Sequence, residues 1–296
     1  MARSVALSHL VRLEDGTSEG VWAGYRLRSA FQPIFQVRDG RLALAAYEGL
    51  LRPFRGDEPV SPVAFFASIP VVDRLHVETL TRTMHLLNAA TCLENDVWIF
   101  VNFDPSVFID RAIADLTLRE MRLVLHEAGI DAQRVVCEVT EQPTGSEAVF
   151  IGFIEALRGN GLRIAVDDYG AEESDIFRIA ELKPDIVKFD ASWIARLMDS
   201  SAGFALLRTL VQKFEERDIR TVFEGIEDSW RVDFAVKAGV SMLQGYALGR
   251  PQLASPRLRG YQAVPFPQAD AAEEAAETRR NLPRPERAFG RRAASL

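Results

Sequence analysis

Residues 163–190 read RIAVDDYGAEESDIFRIAELKPDIVKFD. An apolar run, Arg163–Val166, ends in the acidic pair Asp167–Asp168. A helical stretch follows at 174–182. A second apolar run, Ile186–Phe189, carries Lys188 inside it. Strand, helix, strand in this order predicts two parallel strands joined by a right-handed crossover. The same unit recurs on both sides. Upstream lie strands Val97–Asn102 and Val135–Val139, with helices at 61–69, 73–93, 111–128 and 146–158. The helix at 73–93 places Leu75, Leu80, Met84 and Leu87 at helical spacing. Downstream lie helices at 191–197, 202–216 and 228–237, and strands Arg220–Phe223 and 240–243. The series opens with a hairpin, Ala30–Val37 and Leu42–Leu51, turned by Arg38-Asp39-Gly40. About eight strands in roughly 240 residues predict a closed, TIM-like (β/α)8 barrel rather than a doubly wound sheet. The hairpin predicts that its first strand runs antiparallel to the rest. A leader at 1–24, a barrel at 25–262 and a disordered tail at 263–296 complete the expected organisation.

Composition bounds the chemistry. The 296 residues are 48% apolar, enough for a large core, and carry a net charge of −7. That charge argues against a polymeric nucleic-acid partner, which needs a basic surface. Cys92 and Cys137 lack the CxxC spacing of a metal or redox pair and point to a reducing cytosol. No apolar run reaches the roughly 18–20 residues of a membrane helix. The leader holds Glu14, Asp15 and Glu19 and has no signal-peptide core. No cyclase or sensory segment is expected in these residues.

Acidic or amide residues end successive strand-like runs: Glu48, Asn102, Glu138, Asp167–Asp168, Glu224 and Gln244. In a barrel these ends meet at one rim, where active sites sit. A set of oxygen donors without histidine favours Mg²⁺ or Mn²⁺ over zinc. The four histidines, His9, His76, His85 and His126, fall in the leader and in helical stretches. Adjacent Asp167 and Asp168 can face two different cations or bridge them. Such a pair of ions stabilises the attacking and leaving oxygens of a phosphoryl displacement. Lys188 inside an apolar strand either orients a water and neutralises developing charge or forms an ion pair with Asp190 or a rim carboxylate. Arg52 lies four residues after Glu48, on the same strand face, and either holds a phosphate or is a surface arginine.

Together these motifs resemble the EAL family of cyclic-di-GMP phosphodiesterases. The resemblance is carried by Gln32-Pro33-Ile34, Glu48-Gly49-Leu50-Leu51-Arg52 and Asn102-Phe103-Asp104-Pro105. It continues through Glu138-Val139-Thr140-Glu141, Asp167-Asp168-Tyr169-Gly170 and Lys188-Phe189-Asp190. Glu224-Gly225-Ile226-Glu227 and Gln244-Gly245-Tyr246, with Gly249-Arg250-Pro251, complete it. It implies a barrel with an antiparallel first strand and hydrolysis of cyclic-di-GMP to pGpG with two Mg²⁺ or Mn²⁺ ions in a homodimer. Glu48, Asn102, Glu138, Asp167 and Asp168 resemble the metal ligands, and Glu224 a ligand or general base. Lys188 resembles the lysine that holds the water. Gln32, Leu51 and Arg52 resemble substrate contacts, and Gln244 a residue that orients water or a ligand. Glu141 resembles the anchor of the loop after Asp168, and Glu227 a support for Glu224. The alternatives are a catalytically weak receptor or protein-interaction module of the same family, and an unrelated metal-dependent barrel enzyme.

The chain departs from the usual motifs at three places. Gly49 replaces alanine, at a position expected to face away from Glu48. Phe103 and Asp104 replace a small apolar residue and serine. After Asp168 the loop runs Gly170-Ala171-Glu172-Glu173-Ser174-Asp175, with Glu172 in place of a glycine. This last change predicts slower turnover or altered regulation.

Overall fold

The computed structural model describes residues 6–38, 41–140, 146–171 and 176–258. The tail, the turn residues 39–40, Glu141 and the loop 172–175 lie outside the described residues. In chain order the strands are β1 (Leu10–Arg12), β2 (Ser18–Trp22), β3 (Tyr25–Arg38), β4 (Arg41–Arg55), β5 (Glu58–Pro59) and β6 (Trp98–Phe103). They continue as β7 (Val135–Thr140), β8 (Arg163–Tyr169), β9 (Ile186–Phe189), β10 (Arg220–Phe223), β11 (Met242–Gln244) and β12 (Gln252–Leu253). The helices are α1 (Pro62–Ser68), α2 (Val71–Cys92), α3 (Arg111–Ala128), α4 (Glu147–Gly159), α5 (Ile176–Leu182), α6 (Ala191–Met198), α7 (Ser201–Glu215) and α8 (Ser229–Ala238).

Strands β3, β11, β10, β9, β8, β7, β6 and β4 lie side by side in that order, and β3 pairs back to β4, so the sheet closes. β3 is antiparallel to both β4 and β11, while the other barrel neighbours are parallel. The barrel expected from the sequence, with its reversed first strand, is thus formed. The hairpin is longer than the apolar runs suggested, because β3 and β4 pair from Tyr25↔Arg55 to Arg38↔Arg41. The segment before Tyr25 is structured where described: β2 pairs with β3, and Ser18 N donates to Asn88 Oδ1 of α2 at 2.6 Å.

Helix ends follow local chemistry. Asp110 Oδ1 accepts from Ile113 N at 2.9 Å at the start of α3, and Gly129 ends it at φ +65°.

The barrel interior is built in layers. Ile34, Ala46, Phe100, Val136, Ala165, Ile186, Val222 and Met242, one from each barrel strand, form one buried apolar cluster. Side chains alternate along a strand, so the next inward position lies two residues on. That position holds Glu48, Asn102, Glu138, Asp167, Lys188, Glu224 and Gln244 on the seven parallel strands. On the reversed strand β3 it lies two residues back, at Gln32. A polar layer therefore sits directly on an apolar floor.

Outside the barrel, α2 backs β4. Gly49 faces it, and a Cβ there would lie 3.1 Å from the His85 ring. His85 is held in place by Ser29 Oγ, 2.8 Å from Nδ1, and Asn88 Nδ2 donates to the same hydroxyl at 2.9 Å. An alanine methyl would press on the imidazole, which would have to give by a few tenths of an ångström. Restoring the usual residue, Gly49→Ala, is expected to cost about 1–3 kcal/mol by overpacking. The cost should shrink in a His85→Ala background. Chemical denaturation of the four members of this cycle checks it, and equal costs in both backgrounds would refute the pairing.

Burial pushes the His85 imidazole down to about 3, with Arg52 and Arg82 adding to the effect. Below about pH 6.5 the unfolded chain binds a proton here that the folded chain refuses, so this residue removes about 1.4 kcal/mol of stability per pH unit as pH falls. His85→Gln should flatten the loss of stability between pH 7 and pH 5. An unchanged slope in denaturation titrations would show that His85 does not carry it.

Candidate active site

Lys188 is 1% exposed and sits at the centre of the polar layer. Its Nζ lies 2.5 Å from Glu138 Oε1, 2.7 Å from Glu224 Oε1, 3.2 Å from Asp167 Oδ1 and 3.5 Å from Glu48 Oε2. Of the pairings open to it in the sequence, it takes the rim carboxylates and not Asp190. Asp190 instead caps α6, accepting from Trp193 N at 2.8 Å. Glu48 is the hub on the other side of the layer. Gln244 Nε2 donates to its Oε2 at 2.7 Å, and Asn102 Nδ2 to its Oε1 at 3.5 Å. Gln32 lies opposite Glu48 in the β3–β4 ladder, and its Nε2 donates to the Gly249 carbonyl at 3.3 Å.

Asp168 reaches the site by an irregularity. Between Val166↔Val187 and Tyr169↔Phe189, β8 carries one residue more than β9. This bulge holds Asp167 and Asp168, and Asp168 takes φ +59°, a conformation costly for a residue with a side chain. A regular strand would turn adjacent residues to opposite faces. Here Asp167, Asp168 and Glu224 each bring an oxygen within 4.8 Å of one another. Close backbone approach shapes the same rim. Gly225 follows Glu224 at φ +62°, and a Cβ there would lie 2.3 Å from Ala191 Cβ.

The electrostatics are unbalanced. Burial raises the Glu138 carboxyl well above its usual range, and Glu48 adds to this against Lys188. Burial likewise pushes Glu224 up to about 8, while Lys188 opposes the shift. Asp168 is raised by burial and then by Asp167. Burial disfavours the Lys188 charge, yet Asp167, Glu138, Glu224 and Glu48 together hold its ammonium well above the ordinary range. Five carboxylates thus face one ammonium. Glu138 Oε2 is buried with no hydrogen-bond partner among the described residues. Such a site is short of positive charge, and its all-oxygen donor set fits hard divalent cations.

Two cavities flank the layer. One of about 570 Å³ is lined by Leu51, Arg52, Asn102, Phe103 and Arg82 among others. The other, of about 290 Å³, is lined by Gln32, Glu48, Glu224, Glu227, Gln244 and Tyr246 among others. The residues that resemble substrate contacts therefore divide between the two cavities, Leu51 and Arg52 in the larger and Gln32 and Gln244 in the smaller. Arg52 is half-buried, and its Nη1 donates to the Leu51 carbonyl at 2.8 Å. Glu227 is exposed at the lip of the smaller cavity. Glu141 and the altered loop 172–175 lie outside the described residues. Sequence reading missed Arg82, a buried arginine of α2 that touches the end of β6. Its only signal was a charge on the apolar side of a helix.

Comparison with known proteins agrees with this architecture. The probable cyclic di-GMP phosphodiesterase PdeA of Escherichia coli (strain K12) is 27% identical over 180 residues, 60% of this chain and 24% of that relative. The uncharacterized EAL-domain containing protein YkuI of Bacillus subtilis (strain 168) is 29% identical over 231 residues, 75% of this chain and 54% of that relative. The chain thus spans about a quarter of one curated relative and about half of the other. Among solved structures, YkuI in complex with c-di-GMP and calcium has a TM-score of 0.63 at 25% identity, covering 86% of this chain and 60% of that one. The manganese/c-di-GMP complex of Klebsiella pneumoniae BlrP1 has a TM-score of 0.68 at 24% identity, over 77% and 56% of the two chains, and shows the shared fold. No helix among the described residues is long and apolar enough to cross a membrane. The EAL domain model matches residues 19–251, most of the 296, and the chain belongs to the EAL domain family.

Proposed function

We propose that this chain is a metal-dependent phosphodiesterase that hydrolyses cyclic-di-GMP to pGpG. The observation that carries the reading is the excess of carboxylates over ammonium in the polar layer, with two cavities that share residues with it. A ligand with a phosphodiester between two bases matches that layout: negative phosphate at the cation-seeking centre, one lateral group toward each cavity. In this reading Glu48, Asn102, Glu138, Asp167 and Asp168 hold two Mg²⁺ or Mn²⁺ ions. Divalent ions bound there supply neutralisation of phosphate charge and a more acidic water. With divalent ions drawing some of its four carboxylate partners to themselves, Lys188 Nζ would have an N–H free to orient the attacking water. Glu224, 2.7 Å from that ammonium, takes the proton from the water at a carboxylate oxygen. Arg52 binds the phosphate, and Gln32 and Leu51 position the nucleotide. Gln244 holds Glu48 in one orientation through its 2.7 Å hydrogen bond. The role that the resemblance gives Glu141, toward the loop after Asp168, falls outside the described residues. The acidic replacement in that loop, Glu172, supports a second reading, a receptor of the same family that binds cyclic-di-GMP and turns it over slowly.

Purified protein with Mg²⁺ or Mn²⁺ is expected to convert cyclic-di-GMP to pGpG. Chelation should abolish the reaction, and Asp167→Asn or Glu48→Ala should slow it by about a hundredfold or more, near 3 kcal/mol of barrel-bound transition-state stabilisation. Chromatography of the products decides it. Tight binding without any pGpG would replace the enzyme reading by the receptor.

Lys188→Met leaves buried carboxylates without their cation, which is expected to destabilise the metal-free protein by about 3–5 kcal/mol. Because divalent ions neutralise the same oxygens, Mn²⁺ should raise the melting temperature of this variant more than that of the wild type. Thermal melts with and without Mn²⁺ measure both, and an equal rise in the two proteins would count against metal binding at these carboxylates.

A further inference from the structure

The ladder between β4 and β6 stops at Glu48↔Phe100, whereas β7 continues beside β6 to Phe103↔Val139. The last residues of β6, Asn102 and Phe103, therefore have a strand on one side only. A side chain from α2 reaches this unsupported end. Arg82 is 3% exposed, and its Nη1 donates to the Asn102 carbonyl at 3.4 Å and to Glu78 Oε2 at 3.3 Å. Its guanidinium lies over the Phe103 ring, 4.1 Å from Cζ to centroid. The planar group thus grips the strand end twice, by a charge-assisted hydrogen bond to one residue and by stacking on the next. A buried guanidinium costs several kcal/mol in desolvation, which an apolar side chain of similar size avoids. Glu78 offsets part of that cost, but Glu78 alone gives no reason for the arginine to touch β6.

We infer that Arg82 is a positioning residue that fixes Asn102 from behind, so that its amide is held at the edge of the polar layer. Phe103, one of the chain's departures from the usual motif, supplies the ring on which the guanidinium rests. The inference rests on the proposed role of Asn102 as a metal ligand. Its reach is the geometry of that ligand: Arg82 lines the larger cavity, but its hydrogen bonds go to Glu78 and the Asn102 carbonyl and not to a carboxylate of the polar layer.

The test is a double-mutant cycle on the full chain, with Mn²⁺ binding by calorimetry as the first readout and the kinetics of cyclic-di-GMP cleavage as the second. Arg82→Met is expected to weaken Mn²⁺ binding roughly tenfold or more, the usual effect of removing a group that orients a ligand. It should lower kcat with little change in KM. In an Asn102→Ala background the same substitution should cost nothing further in Mn²⁺ affinity, because the residue it orients is gone. Arg82→Lys keeps the charge but loses the planar grip, and should behave like Arg82→Met; it also serves if the methionine variant does not fold. A folded variant with wild-type Mn²⁺ affinity overturns the inference, as does an equal loss with and without Asn102. The binding arm decides the matter even if turnover is nil. Wild-type protein that binds Mn²⁺ but makes no pGpG overturns the phosphodiesterase reading alone.

Discussion

One buried ammonium holds this site together. Lys188 touches Glu138, Glu224, Asp167 and Glu48; three of these carboxylates lie in different strands, and Glu224 directly follows a fourth. Without it, the negative side chains would repel one another across a space largely closed to water. With it alone, the balance remains negative. Burial already pushes Glu138 and Glu224 toward their neutral forms. The cheapest way to keep the whole set charged is to bind further positive charge. Demand for cations is thus a property of the folded barrel, and it exists before any ligand arrives.

The barrel creates that demand through strand periodicity. Eight apolar side chains close the interior, and the position two residues further along each parallel strand must also point inward. Placing polar groups there puts them in the mouth of the barrel with a dry floor beneath. The reversed strand obeys the same rule in the opposite sense, which is why Gln32 precedes Ile34 while Glu48 follows Ala46. Only Asp168 escapes the alternation, and it does so through a bulge and a left-handed backbone. The strained residue therefore lies where two neighbouring carboxylates are needed on one face.

Much of this was legible in the sequence. Apolar runs alternating with helical stretches gave the barrel, and polar residues at the run ends marked the rim. Local signals could not reveal partners fixed by tertiary register. Lys188 stands two residues from Asp190, yet its partners come from β4, β7, β8 and the residue after β10. The ends of the β3–β4 hairpin were hidden for a related reason. Arg26, Arg28 and Arg55 lie beyond the apolar runs, but the antiparallel ladder carries them past the barrel wall. The bulge at Asp167–Asp168 is a count of residues on two strands and is invisible on either strand alone.

Two of the departures from the usual motifs, Gly49 and Phe103, share a cause once α2 is considered. Gly49 meets His85, and Phe103 meets Arg82. Glu78, Arg82 and His85 stand at helical spacings of four and three, so they present one face of α2 to the backs of β4 and β6. Bulk lost at one strand, in Gly49, is recovered by an imidazole from the helix. Bulk gained at the other, in Phe103, is met by a flat guanidinium. Two substitutions that look unrelated along the chain are thus complementary fits to a single helix surface. The same strands carry Glu48 and Asn102 on their inner faces. Changes in α2 therefore act on Glu48 and Asn102 through the backs of the strands that carry them, and also alter the wall of the larger cavity, which Glu78, Arg82 and His85 line.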